Sequence, residues 1–387
     1  MNLEKFISNR VREVKPSGIR KFFNMVAEVP DVISLSIGQP DFVTPLHIRE
    51  ACIEALDRGM TGYTHNLGII ELRRGISHFL HKKYKADYDP TKEILVTVGG
   101  SEALDLSFRT LVSEGDEVLI PDPAFVSYEP LTILAGGKPV FVPTYEEDNF
   151  VIKPENIEKK ITERTKVLVL NYPNNPTGAI MTRGQLEAIA EVVKKYNLFV
   201  ISDEMYSELT YGRKHESFAS IPGMKERTIL TNGFSKAYSM TGWRLGYIAA
   251  PAEIIENMIK IHQYSIACAP SMCQYAAVEA INNGDADIEE MVKEYDKRRK
   301  FIYEGLLEIG LDCFEPLGAF YIFPSIKKTG LTSEEFSIRL LNQEKVAVVP
   351  GSVFGEHGEG YIRISYAASM DAMEEALRRM KRFLDSL

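Results

Sequence analysis

Short β-branched runs alternate with stretches of helical period through the first three quarters of the chain, which predicts strands joined by helical crossovers. The runs are Ile94-Val98, Glu117-Ile120, Pro139-Val142, Lys166-Leu170, Leu198-Ser202, Thr228-Asn232 and Leu245-Ala250, with helical patterns over Ser101-Val112, Ala124-Ala135 and Arg183-Tyr196. Val167-Leu168-Val169-Leu170 is apolar without alternation, as a strand covered on both faces of a mainly parallel sheet must be. The last two runs lie too close together for a helical crossover, so one of them is expected to run antiparallel. After about Asn283 the texture changes. A charged helical stretch, Ile288-Ile309, precedes short strands at Phe320-Phe323, Val346-Val349 and Tyr361-Ser365. The chain then closes with a helix in which Met373, Leu377, Met380 and Leu384 repeat at three and four residues behind Ser369 as N-cap. The expected architecture is α/β, a mostly parallel seven-stranded sheet flanked by helices in residues 45–285, with a smaller α+β unit in 286–387. Residues 1–44 form an arm that also contributes to the smaller unit.

Composition narrows the class. The 387 residues carry 45 Lys and Arg against 54 Asp and Glu, a net charge of −9, and 45% are apolar. That is the balance of a soluble globular protein, and it disfavours nucleic acid as a partner. No apolar run approaches the roughly 18 residues of a membrane helix, and Met1-Asn2-Leu3-Glu4-Lys5 lacks the basic-then-apolar pattern of a secretory signal, so a cytoplasmic location is expected. Cys52, Cys268, Cys273 and Cys313 fit neither a disulfide scaffold nor a Cys-x-x-Cys pair and read as reduced, mostly packed thiols. His78 and His81 share a helix face without a third ligand nearby, so no metal is expected.

Four windows bear on chemistry. In Thr228-Ala252 the only charged side chains are Lys236 and Arg244. A lysine held among Gly, Ser, Tyr and Trp loses solvation, and its amine is then more easily neutral, as a Schiff-base nucleophile needs. A lysine snorkelling from a strand end is an equally good account of that window alone. Arg244, eight residues on, has the fork geometry to hold a phosphate. In Val98-Gly99-Gly100-Ser101-Glu102 a strand passes through two glycines into a helix, whose N-terminus suits an anion or is simply capped by Ser101. No P-loop or Gly-x-Gly-x-x-Gly pattern accompanies it. Asn171-Tyr172-Pro173-Asn174-Asn175-Pro176-Thr177-Gly178 and Ser202-Asp203-Glu204-Met205-Tyr206 each follow an apolar strand directly. Ligands of open α/β sheets bind beyond the strands' carboxyl ends, so all four windows are expected to face one crevice.

Gly38-Gln39-Pro40-Asp41, Asn174-Asn175-Pro176-Thr177-Gly178, Asp203-Glu204-x-Tyr206, Ser235-Lys236-x-Tyr238-x-Met240-Thr241-Gly242-Trp243-Arg244-x-Gly246 and Arg363-Ile364-Ser365 occur in that order along the whole chain. The set resembles the class I/II aminotransferases of pyridoxal-phosphate (PLP) fold type I, close to bacterial and archaeal aspartate and aromatic aminotransferases. The resemblance implies that Lys236 binds the cofactor as a Schiff base and then moves the substrate's α-proton. It implies that Asp203 pairs with the pyridine nitrogen, that Tyr206 and Asn175 bond the phenolic oxygen, and that Phe125 stacks on the ring rather than serving as a core residue of the next helix. The phosphate would rest on the backbone at Gly100, Ser101 and Glu102, with Ser235 and Arg244 beside it and Tyr63 donated by the neighbouring subunit of a homodimer. Arg363, helped by Asn175 and Gly38, would clamp the substrate α-carboxylate, although an arginine on such a strand also suits a rim salt bridge. The Asn175-Pro176 bond is expected to be cis.

The activity so implied is transfer of an L-amino acid's amine to a 2-oxo acid, with 2-oxoglutarate as acceptor. Local similarity to aromatic aminotransferases, including Pro121-x-Pro123-Ala124-Phe125-Val126-Ser127-Tyr128, favours aromatic donors; aspartate and an N-acylated diaminopimelate stay open, and Arg20 in the arm is a candidate for a second substrate carboxylate or an ordinary charged surface residue. A carbon–sulfur β-lyase on the same scaffold and a non-catalytic PLP-binding sensor are the alternatives.

Overall fold

The computed structural model describes residues 3–16, 18–27 and 29–387. Its first strand, β1 (Ile33–Ser34), is followed by β2 (Ile94–Thr97), β3 (Glu117–Asp122), β4 (Lys138–Pro143), β5 (Thr165–Asn171), β6 (Phe199–Asp203), β7 (Thr228–Gly233) and β8 (Gly246–Ala249). Strands β2 to β8 make a seven-stranded sheet in the order β2-β8-β7-β6-β5-β3-β4. The β3–β4, β3–β5, β5–β6 and β6–β7 pairs are parallel, while β8 runs antiparallel to both neighbours. The non-alternating run of β5 is buried on both faces: Leu168 and Leu170 pack with Ile189 and Val193, whereas Val167 and Val169 face Phe108 and Met258. Because β8 reverses between β7 and β2, the carboxyl ends of β2, β3, β5, β6 and β7 all open on one side. Beyond the sheet lie β9 (Tyr321–Ile322), β10 (Val346–Ala347), β11 (Val349–Pro350) and β12 (Ile362–Ser365). Here β11-β12-β9 form an antiparallel sheet, and β10 pairs in parallel with β1.

Several expectations shift in detail. Val346-Val349 is two strands in two sheets, because the chain crosses at Val348 from β1 to β12. The helix expected from Ala124 begins at Tyr128, and the Ala124 N–H instead donates to the Phe354 carbonyl at 2.9 Å. The helix expected from Ser101 begins at Gly99, which places Ser101 in its first turn rather than at its cap. In the last helix, Met370–Asp385, Ser369 caps as expected by accepting the Ala372 N–H at 3.2 Å, but Phe383 rather than Leu384 fills the buried stripe. The four cysteines are unpaired and half-buried. Among the described residues no helix is long and apolar enough to cross a membrane.

Candidate active site

A cavity of about 350 Å³ opens beyond the carboxyl ends of β5, β6 and β7, a size suited to a cofactor-sized ligand. Lys236, in the loop between β7 and β8, reaches into it, and its Nζ donates to the Gly38 carbonyl at 2.7 Å. The amine lies 5.8 and 5.7 Å from the ring centres of Tyr206 and Phe320. Burial, reinforced by the charges of Arg363 and Arg244 and opposed by Asp203, pushes it down to about 8. The snorkelling alternative therefore falls away, because the amine points into the cavity rather than out to water.

Asp203 ends β6 and is buried. Its Oδ2 accepts from the Tyr128 hydroxyl at 2.7 Å and its Oδ1 from the Met205 N–H at 3.2 Å. Burial lifts its carboxyl to about 6; those two bonds pull it down, Glu204 raises it and Lys236 lowers it. Asn171, at the end of β5, joins this strand end to the next: its Nδ2 donates to the Asp203 carbonyl at 3.2 Å, and its Oδ1 accepts the Asn175 N–H at 3.1 Å. Asn174 closes the following turn by accepting the Thr177 N–H and hydroxyl at 3.1 and 2.8 Å. The Asn175-Pro176 bond is cis, as are Asp122-Pro123 and Tyr172-Pro173.

Arg363 on β12 is 2% exposed, which excludes a rim salt bridge. Its Nη1 donates to Asn175 Oδ1 at 2.9 Å and its Nη2 to the Ser36 carbonyl at 2.8 Å, while Nε is buried without a partner among the described residues. The guanidinium lies over Tyr321, 4.3 Å from its ring centre, and the Tyr321 hydroxyl meets that of Tyr206 at 2.8 Å. A buried guanidinium with no carboxylate partner is suited to receive one from a ligand.

On the opposite wall the Gly99–Leu111 helix points its N-terminus at the cavity, with Gly100 and Ser101 in the lining. A helix leaves its first N–H groups unused by its own bonds, so this end offers donors to an anion. Arg244 completes it, Nη2 reaching Ser101 Oγ at 3.3 Å. Gly99 is required there: its φ is +70°, and a Cβ would stand 2.6 Å from Arg244 Nη2. Glu102 in this turn sends its carboxylate away, to the Val98 N–H and His262. Phe125 and Ser235 also line the cavity. Phe125 precedes the Tyr128 helix, lies half-buried against the core that holds Tyr128 and meets its ring edge-on at 5.7 Å.

Lys236, Asp203, Tyr206, Asn175, Arg363, Arg244, Ser235, Gly100, Ser101, Phe125 and Gly38 thus meet around one cavity. Tyr63 and Glu102 are not in its lining: Tyr63 is 91% exposed, and the Glu102 side chain turns to Val98 and His262. The side chain of Arg20 lies outside the described residues. Tyr128, Asn171 and Tyr321 contribute polar groups that residue-by-residue reading gave no role. Asn171 is visible in the sequence as the residue directly after an apolar run; nothing local marks Tyr321. A lysine amine, a buried carboxylate facing it, a cradle of helix N–H groups with an arginine, and a guanidinium lacking a carboxylate fit a phosphorylated pyridine aldehyde and an amino acid together.

A family model for aminotransferase class I and II matches residues 30–380. An aspartate aminotransferase of Pyrococcus abyssi is 52% identical over 381 residues, 98% of each chain. An aromatic-amino-acid aminotransferase of Thermococcus litoralis is 48% identical over 381 residues, again 98% of each. The crystal structure of an aromatic aminotransferase from Pyrococcus horikoshii superposes with a TM-score of 0.91 at 50% identity, covering 94% of this chain and 99% of that one. The chain belongs to the class I and II aminotransferases and is a PLP-dependent enzyme that transfers amino groups from amino acids.

Proposed function

We propose that the enzyme moves the amine of an aromatic L-amino acid to 2-oxoglutarate in two half-reactions at the Lys236 cavity, with aspartate and N-acyl-diaminopimelate as poorer or alternative donors. The observation that carries the donor choice is the cavity wall: Ile19, Leu104, Phe125 and Tyr321 supply apolar and aromatic surface. Among its described side chains the only cations are Lys236, Arg244 and Arg363. Each of the three has a role in the proposal, so no described cation is left for a second carboxylate of an aspartate side chain.

When bound, the cofactor supplies an electron-accepting ring. Asp203 would hold the pyridine nitrogen, Tyr206 and Asn175 the phenolic oxygen, and Phe125 would cover one ring face. Gly100, Ser101 and Glu102 would take the phosphate through backbone N–H groups, with Ser235 and Arg244. Arg363 would fix the substrate's α-carboxylate, orienting the bond from Cα to hydrogen toward Lys236. Lys236 Nζ, with its lowered proton affinity, would take that proton from Cα and deliver it to the cofactor's C4′ rather than back to Cα. We further propose a cytoplasmic homodimer in which Tyr63 of one copy reaches the phosphate of the other; its exposure fits that role. The division at residues 45–285 and 286–387, with 1–44 shared, belongs to the same reading.

The test is an absorbance spectrum of the purified protein with a panel of L-amino acids, repeated for Lys236→Ala. A cofactor band that phenylalanine or tyrosine bleaches and 2-oxoglutarate restores supports the reading. Preference for aspartate would overturn the donor choice, and release of pyruvate from cystathionine without any oxo acid would favour the lyase.

A further inference from the structure

Glu102 poses an electrostatic problem. It stands in the first turn of the Gly99–Leu111 helix, where the proposed phosphate would lie, so its carboxylate would repel that dianion if it faced the cavity. Instead the side chain folds back. Oε2 accepts the Val98 N–H at 2.5 Å and Oε1 meets Nδ1 of His262 at 2.7 Å. His262 sits on the neighbouring helix, Ala252–Ser265, with its side chain fully buried. Since a carboxylate only accepts, the proton of that bond is on Nδ1. Among the described residues the other ring nitrogen, Nε2, is buried with no partner, and Glu102 is the side chain's single polar anchor. A half-satisfied buried imidazole, where an apolar residue would pack, calls for a reason beyond packing.

We propose that His262 is a positioning residue for phosphate binding: its Nδ1 holds the Glu102 carboxylate turned away from the cavity, leaving the Gly100 and Ser101 N–H groups to the phosphate. The proposal rests on the phosphate site given above. It makes the discrimination between PLP and pyridoxal, which lacks the phosphate, depend on two side chains that touch neither.

The experiment measures dissociation constants of the apoenzyme for PLP and for pyridoxal in His262→Leu, Glu102→Gln and the double variant, with thermal unfolding as a folding control. His262→Leu is expected to weaken PLP on the order of tenfold, about 1.4 kcal/mol, while leaving pyridoxal nearly unchanged. Adding Glu102→Gln is expected to restore the PLP-to-pyridoxal ratio, and Glu102→Gln alone to keep or raise it. Equal weakening of both ligands, or no recovery in the double variant, overturns the proposal. Should His262→Leu not fold, a fall of the ratio in Glu102→Gln alone overturns it as well. Arg244→Gln separates the underlying reading: if it leaves the ratio unchanged, the phosphate site itself is misassigned, whatever the His262 variants do.

Discussion

Tyr128→Phe removes one hydroxyl, and its expected consequence is a pH-dependent loss of cofactor affinity. The Tyr128 hydroxyl donates to Asp203 Oδ2 at 2.7 Å and counteracts the burial that has already lifted this carboxyl to about 6. A hydrogen bond to a charged group is worth about 1.5–3 kcal/mol, and one pH unit of proton affinity corresponds to about 1.4 kcal/mol, so the variant's carboxyl rises to about 7 to 8. If only the ionised carboxylate pairs with the pyridine nitrogen, apparent affinity scales with the ionised fraction. At pH 7 that fraction falls from about nine tenths to between roughly one half and one tenth, a loss of about twofold to tenfold. At pH 9 it recovers. The assay is cofactor titration of the apoenzyme between pH 6 and 9. A loss of equal size at every pH, or none at all, would refute the argument, since a purely structural defect does not titrate. The same carboxyl sets a stability trend in the apoenzyme. Its folded value lies above the usual 3.8, so the folded protein holds the proton longer than the unfolded chain. Stability therefore declines as pH rises from about 4 to 6, by about 3 kcal/mol in all, and Asp203→Asn should abolish that decline.

Three other outcomes are expected. Capture of the cofactor's aldehyde by the apoenzyme should speed up as pH rises through about 8, where Lys236 loses its proton; stopped-flow absorbance reads the rate, and a flat profile up to pH 10 contradicts the lowered proton affinity. Arg363→Lys should raise KM for amino acids and oxo acids by at least about tenfold while the cofactor still binds, because an ammonium cannot reproduce the fork that reaches Asn175 and Ser36. Steady-state kinetics with an unchanged KM would move the carboxylate site elsewhere. Gly246→Ala should destabilise the fold by about 1–3 kcal/mol and weaken the cofactor, because its Cβ would stand 2.6 Å from Gly99 C and 2.7 Å from Gly100 N, backbone that cannot yield without moving the anion cradle. Denaturant unfolding and cofactor titration check both parts.

What could be read in the sequence divides along a physical line. Strands buried on both faces write themselves as apolar runs, so β5 and β6 are visible up to Leu170 and Ser202, with Asn171 and Asp203 directly after them, and with them the side of the sheet where a site opens. The reversal of β8 followed from the shortness of its connection. Periodicity reports one element at a time, however, and fails where elements from distant parts of the chain meet. Nothing in Val346-Val349 says that the segment serves two sheets, and nothing beside Tyr321 says that its hydroxyl meets Tyr206, 115 residues away. That Arg363 is buried rather than at the rim, with Nη2 on the Ser36 carbonyl 327 residues away, is equally unmarked in its neighbours.

That distance is spanned by one short segment, which explains how the site is assembled from both ends of the chain. Leu35 donates its N–H to Ala347 and accepts that of Ser365, both within 2.9 Å, so residues beyond β1 are clamped between β10 and β12. Ser36 then delivers its carbonyl to Arg363, and Gly38, two residues on, delivers its carbonyl to Lys236. The group proposed to hold the substrate's carboxylate and the group proposed to move its proton are therefore set by carbonyls of a single tripeptide. Displacing that tripeptide would disturb both at once. A disturbance of β1 should accordingly raise KM and lower kcat together, whereas one confined to the Gly99 helix should reach only the cofactor.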